Sequence, residues 1–213
     1  MWASISDVAV APNGDVYATD SLNPALYRIA AADLETGGDL ATFVDFGGTV
    51  FEYGEPGSFN ANGIVITADG AYAVVVHSGN GRLFRVDLQG GEVAEVAIDG
   101  ESVAFGDGIL IDGSILYVVR NRLGLIVRLE LDDAVENATS LDAFTDPALM
   151  FPTTIAKVDE QLLVVNAQFD RRETGDPVLP FTVALIDIPA IASGATPVAS
   201  PVVIPVEEAT PVS

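Results

Sequence analysis

Apolar and polar residues alternate along most of this chain in short runs that tight, glycine-bearing turns separate. The clearest unit is Asn62–Leu88, which predicts three strands at Ile64–Thr67, Tyr72–His77 and Leu83–Leu88. Apolar and charged residues alternate in the third of these, the period of two that is typical of a half-buried strand. A fourth strand is predicted at Glu92–Ile98, so the unit is a four-stranded antiparallel meander.

This unit recurs along the chain, with copies near residues 5–46, 62–98, 107–142 and 153–188. One meander cannot bury both of its faces alone and needs neighbours on each side. The repeats therefore predict an all-β fold, a β-propeller of about four four-stranded antiparallel blades within residues 1–188. Propellers close with about four to eight blades, and the chain starts just before a first strand, which favours part of a six-bladed parent. The tail at 189–213 is rich in Pro, Ala, Val and Ser and is predicted to be a disordered linker.

Composition and charge narrow the classes of function. The chain has 213 residues and no cysteine, which excludes disulfides, thiolate catalysis and cysteine metal sites. Its formal net charge of −22 repels phosphate backbones and anionic lipid, so we expect neither nucleic-acid binding nor membrane association. No transmembrane helix and no signal peptide are expected from the sequence. A small-molecule ligand is the expected partner, and the oligomeric state stays open.

The antiparallel pattern brings several polar residues to one edge of the predicted sheets. The start of the first strand and the end of the second lie side by side in a meander. These eight positions are Ser6, Asn62, Asp107 and Thr153 at the starts, and Asp20, His77, Arg120 and Asn166 at the ends. Because polar residues occupy all of them beside apolar strand interiors, we expect a binding site at this mouth of the central channel.

Asn62 and Asp107 are the strongest candidates for chemistry. An amide oxygen and a carboxylate suit a hard cation that takes oxygen ligands, and Asp107 could act as the catalytic general base towards a water. The alternative is that both residues cap turns, since Asn-Gly and Asp-Gly are common turn pairs. The predicted substrate-binding residues are His77, Arg120, Asn121 and Asn166. For His77, the only histidine, a structural role is the alternative, and for Arg120 a pairing with neighbouring acids.

Four segments carry a resemblance to a known family: DVAVAPNGDVYATDS, NGIVITADG, GDGILIDGSILYVVRN and FPTTIAKVDEQLLVVNAQFD. They resemble the senescence-marker-protein/gluconolactonase/luciferin-regenerating-enzyme-like family, and more closely its secreted bacterial and fungal branch, over about residues 5–187. The resemblance implies a six-bladed propeller, an extracytoplasmic location and one divalent metal, calcium or zinc, at the top of the channel. The family's metal ligands match Asn62 and Asp107. A further polar position falls on Ser6, where the family commonly has Asn, and the family's Glu ligand has no counterpart here.

These expectations lead to two hypotheses. The first is a metal-assisted lactonase or esterase, in which the cation polarises a lactone or ester carbonyl and Asp107 activates water. Asn62 would be a ligand, and His77 and Arg120 would contact the substrate. The second is a non-catalytic propeller that binds a ligand or serves as a scaffold.

Overall fold

The computed structural model describes residues 3–37, 40–172 and 174–191. Nearly all of the predicted tail, from residue 192 onward, lies outside the described residues. The described chain consists of β-strands and three single 3-10 turns at Ala31–Asp33, Asn121–Leu123 and Phe169–Arg171. Within these ranges, no helix has the length and apolar character needed to cross a bilayer.

Fifteen strands form four successive antiparallel units, the blades. The first blade contains β1 (Ile5–Val10), β2 (Val16–Asp20), β3 (Ala25–Ile29) and β4 (Ala41–Asp45). The second contains β5 (Ala61–Ile66), β6 (Tyr72–His77), β7 (Arg82–Asp87) and β8 (Val93–Asp99). The third contains β9 (Gly106–Asp112), β10 (Ile115–Arg120), β11 (Leu125–Leu131) and β12 (Asn137–Phe144). The fourth contains β13 (Pro152–Val158), β14 (Gln161–Asn166) and β15 (Val183–Asp187).

The strands of each blade pair in chain order, so each blade is a meander. The outermost strands of the second and third blades also pair with each other, in parallel, which joins these two blades into one eight-stranded sheet. The chain is therefore an all-β protein with the β-propeller fold, as its repeats predict, although the fourth blade has three strands in the described residues where four are predicted. Strand positions agree to within three residues, because the alternation and the glycine turns that define each strand are local properties of the sequence.

Three apolar clusters lie between consecutive blades and hold them together. Strand β6 shows how one strand serves two of them. Its Ala73 and Val75 pack towards the first blade, whereas Val74 and Val76 pack towards the third, and all four are fully buried. Full burial of a valine side chain contributes about 1.5–3 kcal/mol relative to leaving it exposed. Because side chains alternate along each strand, an inner blade has buried apolar side chains on both of its faces. Each face needs a neighbouring blade to cover it, which explains why the units stack.

The outward faces of the first and last blades carry exposed apolar side chains. In β1, Val8 and Val10 are 56% and 66% exposed, and in β15, Val183 and Leu185 are 59% and 54% exposed. Their counterparts on the inward faces of the same blades are buried in the clusters. Contiguous apolar faces of this kind on soluble proteins mark interaction surfaces.

Candidate functional site

Each of the four first strands contains a bulge at the end where it begins, which we call the channel mouth. In β5, the pairing passes from Ala61 opposite His77 to Ile64 opposite Val75, so the first strand has one residue more than its partner. The same irregularity occurs at the start of β1, β9 and β13. Bulges bend a strand and redirect its side chains. The predicted residues Ser6, Asn62 and Asp107 all lie within these bulges.

Asp107 lies at the centre of a small polar cluster at the mouth. Its Oδ2 accepts a hydrogen bond of 2.9 Å from Nδ2 of Asn121, and the amide of Asn62 also bonds to this carboxyl. Asn62 Nδ2 also donates to Ser78 Oγ at 3.0 Å. Burial raises the pKa of Asp107 to about 6; the Asn121 amide opposes the rise, and the negative charge of Asp7 adds to it. The structure thus brings together Asn62, Asp107 and Asn121, three of the residues that the sequence predicts for the site.

Asp7 is the residue of this cluster that sequence reasoning missed. Its two carboxylate oxygens accept hydrogen bonds from the backbone amides of Val8, at 2.8 Å, and of Ile64 in the second blade, at 3.1 Å. Burial raises the pKa of this carboxyl, although the two amides work against it. The residue directly precedes the apolar run of β1, in the place that Gly63 and Gly108 occupy in the next two blades. An acidic residue at a repeat position that is glycine in the next two blades is the signal that would have found it.

Ser6 lies outside the cluster. Its hydroxyl is 2.6 Å from Ser21 Oγ and donates to the carbonyl of Ser4 at 3.3 Å. In the pairing of β1 with β2, Ser6 is the extra residue of the bulge. The predicted metal-ligating role of Ser6 therefore has no contact to support it, whereas the charge of the neighbouring Asp7 acts on Asp107.

The donor set at the mouth fits a hard cation in chemistry but is small. It offers the carboxylates of Asp7 and Asp107 and the amide oxygen of Asn62, which are oxygen ligands of the kind that calcium and magnesium take. Nowhere in residues 3–37, 40–172 and 174–191 do three or more His, Cys, Asp or Glu side chains come together in a way that could hold a metal ion. The protein would thus supply two carboxylates and one amide, and water or substrate would complete the coordination.

The ends of the second strands anchor the connections that lead into their own blades. These strand-end anchors are Asp20, His77, Arg120 and Asn166, each of them buried to at least 95%. Asp20 is the first example, because its Oδ2 accepts the backbone amide of Ser4, just before β1, at 3.0 Å. Five hydrogen-bond donors surround this carboxylate, and those bonds hold its pKa below the usual value despite burial. Its role is structural.

His77 anchors the long connection between the first and second blades. Its Nδ1 accepts the backbone amides of Gly79 and Asn80, at 3.1 and 3.3 Å. Nε2 therefore carries the proton and donates to the carbonyl of Glu52 at 3.0 Å. The ring stacks on Phe51 with centroids 5.1 Å apart, and burial lowers its pKa, so it stays neutral at pH 7. Both nitrogens are engaged by backbone, which supports the structural alternative for this residue.

Arg120 and Asn166 have the same function in the third and fourth blades. Arg120 Nε donates to the carbonyl of Ala104 at 3.0 Å, and its Nη1 lies 3.6 Å from a carboxylate oxygen of Glu101. Asn166 accepts the backbone amide of Met150 at 2.9 Å and donates to the carbonyl of Ala148 at 2.8 Å. A substrate-binding role for either residue stays a prediction, and the contacts support the anchoring alternative.

The channel runs between the innermost strands of the blades, and more of its lining is polar than apolar. A cavity of about 320 Å³ lies there, with Val8, Ile64, Ile109 and Ile155 among its lining residues and Asp7 at the mouth. The side chains of the three isoleucines are themselves buried between the blades. A concave site with a few convergent polar groups at its opening is a usual place for a small molecule to bind. This arrangement can bind a compact organic ligand and present one carboxylate, supported by two amides, to it.

Comparisons with known proteins support the fold. No protein-family model matches the chain, and no curated protein matches it by sequence. Solved structures do match. The major allergen Mala s 1 of Malassezia sympodialis is 19% identical with a TM-score of 0.61, over 79% of this chain and 51% of that one. The periplasmic gluconolactonase PpgL of Pseudomonas aeruginosa is 17% identical with a TM-score of 0.57, over 87% and 57%.

Virginiamycin B lyase from Staphylococcus aureus, in a catalytically inactive form with quinupristin, is a third similar structure. It is 17% identical with a TM-score of 0.54, over 88% of this chain and 57% of the lyase. All three are β-propellers of the gluconolactonase-like class. The chain spans about half the length of the solved structures that it matches.

Proposed function

We propose that this protein is a propeller of the lactonase type that hydrolyses a small lactone or ester at the channel mouth. The observation that carries the proposal is the buried Asp107 carboxyl, which the amides of Asn62 and Asn121 hold at the mouth of the channel. The family resemblance of the sequence and the likeness to a periplasmic gluconolactonase and to a lyase support it. An extracytoplasmic location belongs to the same proposal.

The residues of the mouth have distinct roles in this proposal. The channel below the mouth takes the body of the substrate. Asp107 accepts a proton from the attacking water, and the amides of Asn62 and Asn121 keep its carboxylate in one orientation. General-base assistance by a positioned carboxylate contributes about 10²–10⁴ in rate.

A divalent cation at the mouth is part of the proposal. Asp107 and Asn62 would hold it, with Asp7 in the place predicted for Ser6. Calcium fits better than zinc, because these donors are all oxygens and the chain has one histidine and no cysteine. The cation would supply Lewis-acid polarisation of the substrate carbonyl.

A panel of lactones and esters tests the activity, with D-glucono-1,5-lactone and p-nitrophenyl acetate as first substrates. Asp107→Asn should lower kcat/KM by about 10²–10⁴. Asp112→Asn is the matched control, since Asp112 ends the same strand at the far end of the channel and is exposed. No turnover by the parent protein, or equal activity of both variants, would reject the hydrolase.

Calcium titration calorimetry tests the cation separately from catalysis. Asp107→Asn and Asn62→Ala should each weaken calcium binding by tenfold or more, whereas Ser6→Ala should leave it unchanged. Absence of calcium binding by the parent protein would reject the cation site, and an effect of Ser6→Ala would reject the exchange of Ser6 for Asp7.

The rival function is a non-catalytic propeller that binds a small ligand. The observation in its favour is that His77, Arg120 and Asn166, three of the four predicted substrate-binding residues, bond to the connections of their own blades. Binding of a lactone without turnover, abolished by substitutions in the channel wall, would establish this function instead.

A further inference from the structure

Three arginines occupy equivalent places on the third strands of the first three blades. Arg28, Arg85 and Arg128 lie opposite Tyr17, Val74 and Tyr117 on the neighbouring second strands. They lie towards the end of the blades that is remote from the mouth. The three arginines can be compared by whether the guanidinium group of each one bonds to the next blade.

Two of these arginines bind the next blade. Nη1 of Arg85 donates to the carbonyl of Ala134, and Nη1 of Arg128 donates to the carbonyl of Pro189 at 2.8 Å. Both carbonyls belong to the segment that directly follows the third strand of the next blade. The same bond thus closes the gap between the second and third blades and between the third and fourth.

The bond is missing between the first and second blades in the described part of the chain. Arg28 uses Nε and Nη2 on Asp15 of its own blade, at 3.0 and 2.7 Å, and no described contact joins its Nη1 to the segment after β7. Its side chain is 40% exposed. A cavity of about 640 Å³ lies there instead, lined by Tyr17, Arg28, Asp69, Tyr72, Asp87 and Gln89, among others.

At the other end of the first strands, the groups that meet between the first two blades differ from those that meet between the later blades. A Cβ on Gly63 would lie 2.2 Å from the carbonyl oxygen of Asp107, and one on Gly108 would lie 2.6 Å from Cα of Thr154. The later blades therefore touch backbone to backbone through glycine. The equivalent residue of the first blade is Asp7, whose carboxylate stands between β1 and the amide of Ile64. The first two blades thus meet here through a side chain, whereas the later blades meet through glycine.

Tyr17 supplies an independent sign of a ligand. Tyr17 as a whole is only 2% exposed, and no described contact is a hydrogen bond of its hydroxyl, whereas the equivalent Tyr117 bonds to Arg128. No side-chain polar atom of the described residues is both fully buried and without a partner. The hydroxyl of Tyr17 is therefore open to the cavity that this residue lines, beside the guanidinium of Arg28.

We propose that this cleft between the first two blades is a second small-molecule site, which takes a neutral polyhydroxylated ligand such as a mono- or disaccharide. One ligand oxygen occupies the place of the missing carbonyl and accepts from Arg28 Nη1 and the Tyr17 hydroxyl. Other ligand hydroxyls donate to the carboxylates of Asp69 and Asp87. Three carboxylates and one guanidinium line the cleft, so an anionic sugar is repelled. The volume falls within the usual range of ligand pockets, about 300–1,000 Å³.

Titration calorimetry and saturation-transfer NMR with D-glucose, maltose and cellobiose test this site on the whole chain. Tyr17→Phe should weaken binding of the sugar that binds by about 3- to 10-fold, the effect of one neutral hydrogen bond. It should leave the melting temperature unchanged, because the hydroxyl makes no bond within the protein. Tyr117→Phe is the matched control and should leave the sugar affinity unchanged. Ala71→Trp, which fills the cleft, should abolish binding.

The outcomes separate this site from the mouth. No binding of any of the three sugars at 10 mM would overturn the proposal, as would equal affinities of Tyr17→Phe and the parent protein. D-Gluconate bound as tightly as D-glucose would contradict the charge argument. A loss of sugar binding in Asp107→Asn would place the sugars at the mouth, so failure of the cleft and failure of the lactonase proposal give different results.

Discussion

Glycine at position 63 lets the first strands of the second and third blades meet at the mouth, and its replacement by alanine should be costly. The new Cβ would lie 2.2 Å from the carbonyl oxygen of Asp107 and 2.9 Å from the amide nitrogen of Ile109. Real Cβ contacts are essentially never closer than 3.0 Å. Both obstructing atoms are backbone, so the two strands must separate by nearly an ångström.

The cost of this separation follows from the usual range for overpacking. Extra methyl groups in a well-packed interior cost about 1–3 kcal/mol, and rigid backbone on the opposite side places Gly63→Ala near the upper end, at about 3 kcal/mol. For a chain of this size, about 3 kcal/mol corresponds to a fall in Tm of about 6–12 °C. Gly108→Ala should behave alike, since its Cβ would lie 2.6 Å from Cα of Thr154.

Urea unfolding and thermal melting, both followed by circular dichroism, provide the measurement. Gly90→Ala is the matched control, because no atom lies within 4 Å of its Cβ position and its backbone does not have a positive φ. We expect it to stay within about 0.5 kcal/mol of the parent protein. Equal midpoints for Gly63→Ala and Gly90→Ala would refute the close approach of β5 and β9. In Gly63→Ala, displacement of the Asp107 backbone should also weaken calcium binding at the mouth.

Three further predictions follow from the buried polar groups. Burial lowers the pKa of His77, so the folded protein binds fewer protons than the unfolded chain and stability should fall as pH falls below about 6.5. His77→Gln should show a smaller loss of unfolding free energy between pH 7.5 and 5.5, and identical losses in both proteins would contradict this. Asn166→Ala leaves the amide of Met150 and the carbonyl of Ala148 without partners. It should lower the free energy of unfolding by about 2–4 kcal/mol and increase hydrogen exchange at residues 146–151. Unchanged exchange at these residues would disprove the anchoring role. Calcium at 100 times its Kd should raise the unfolding free energy by about 2.7 kcal/mol, and EDTA should reverse this stabilisation. An equal stabilisation of Asp107→Asn by calcium would place the ion elsewhere.

The blades could be predicted because the signals that define them are local. Strand β6 lies where the alternation of the sequence places it, and the repeat of glycine turns fixes the order of the strands. Part of the site follows from the same logic, since antiparallel pairing brings the starts of the first strands to one mouth. Asn62, Asp107 and Asn121 converge there for that reason.

The rest of the site depends on features without a local signal. A bulge adds one residue to each first strand, and in β1 it is the charge of Asp7 that acts on Asp107, while the hydroxyl of Ser6 meets that of Ser21. The strand-end anchors are polar and lie at the predicted edge, but their partners are backbone groups of distant connections. The sequence pattern predicts that a side chain lies at a sheet edge. Only the path of the connection shows whether the backbone already uses the hydrogen-bonding groups of that side chain.

The strand-end anchors also determine which continuous segment of this protein could be grafted as a unit. In the second, third and fourth blades, the anchor and the backbone group that it binds are separated by 25, 16 and 18 residues. Both members of each pair lie in one continuous segment, which runs from the incoming connection to the end of the second strand. A graft that moves the whole segment transfers the connection together with the side chain that hydrogen-bonds to it, whichever residue type the anchor is. A graft that starts at the first strand would instead leave a buried histidine, arginine or asparagine without its partner. The connection into the second blade also donates from the Tyr53 hydroxyl to the carbonyl of Asp20 at 2.7 Å, so a graft there must keep this contact with the first blade as well.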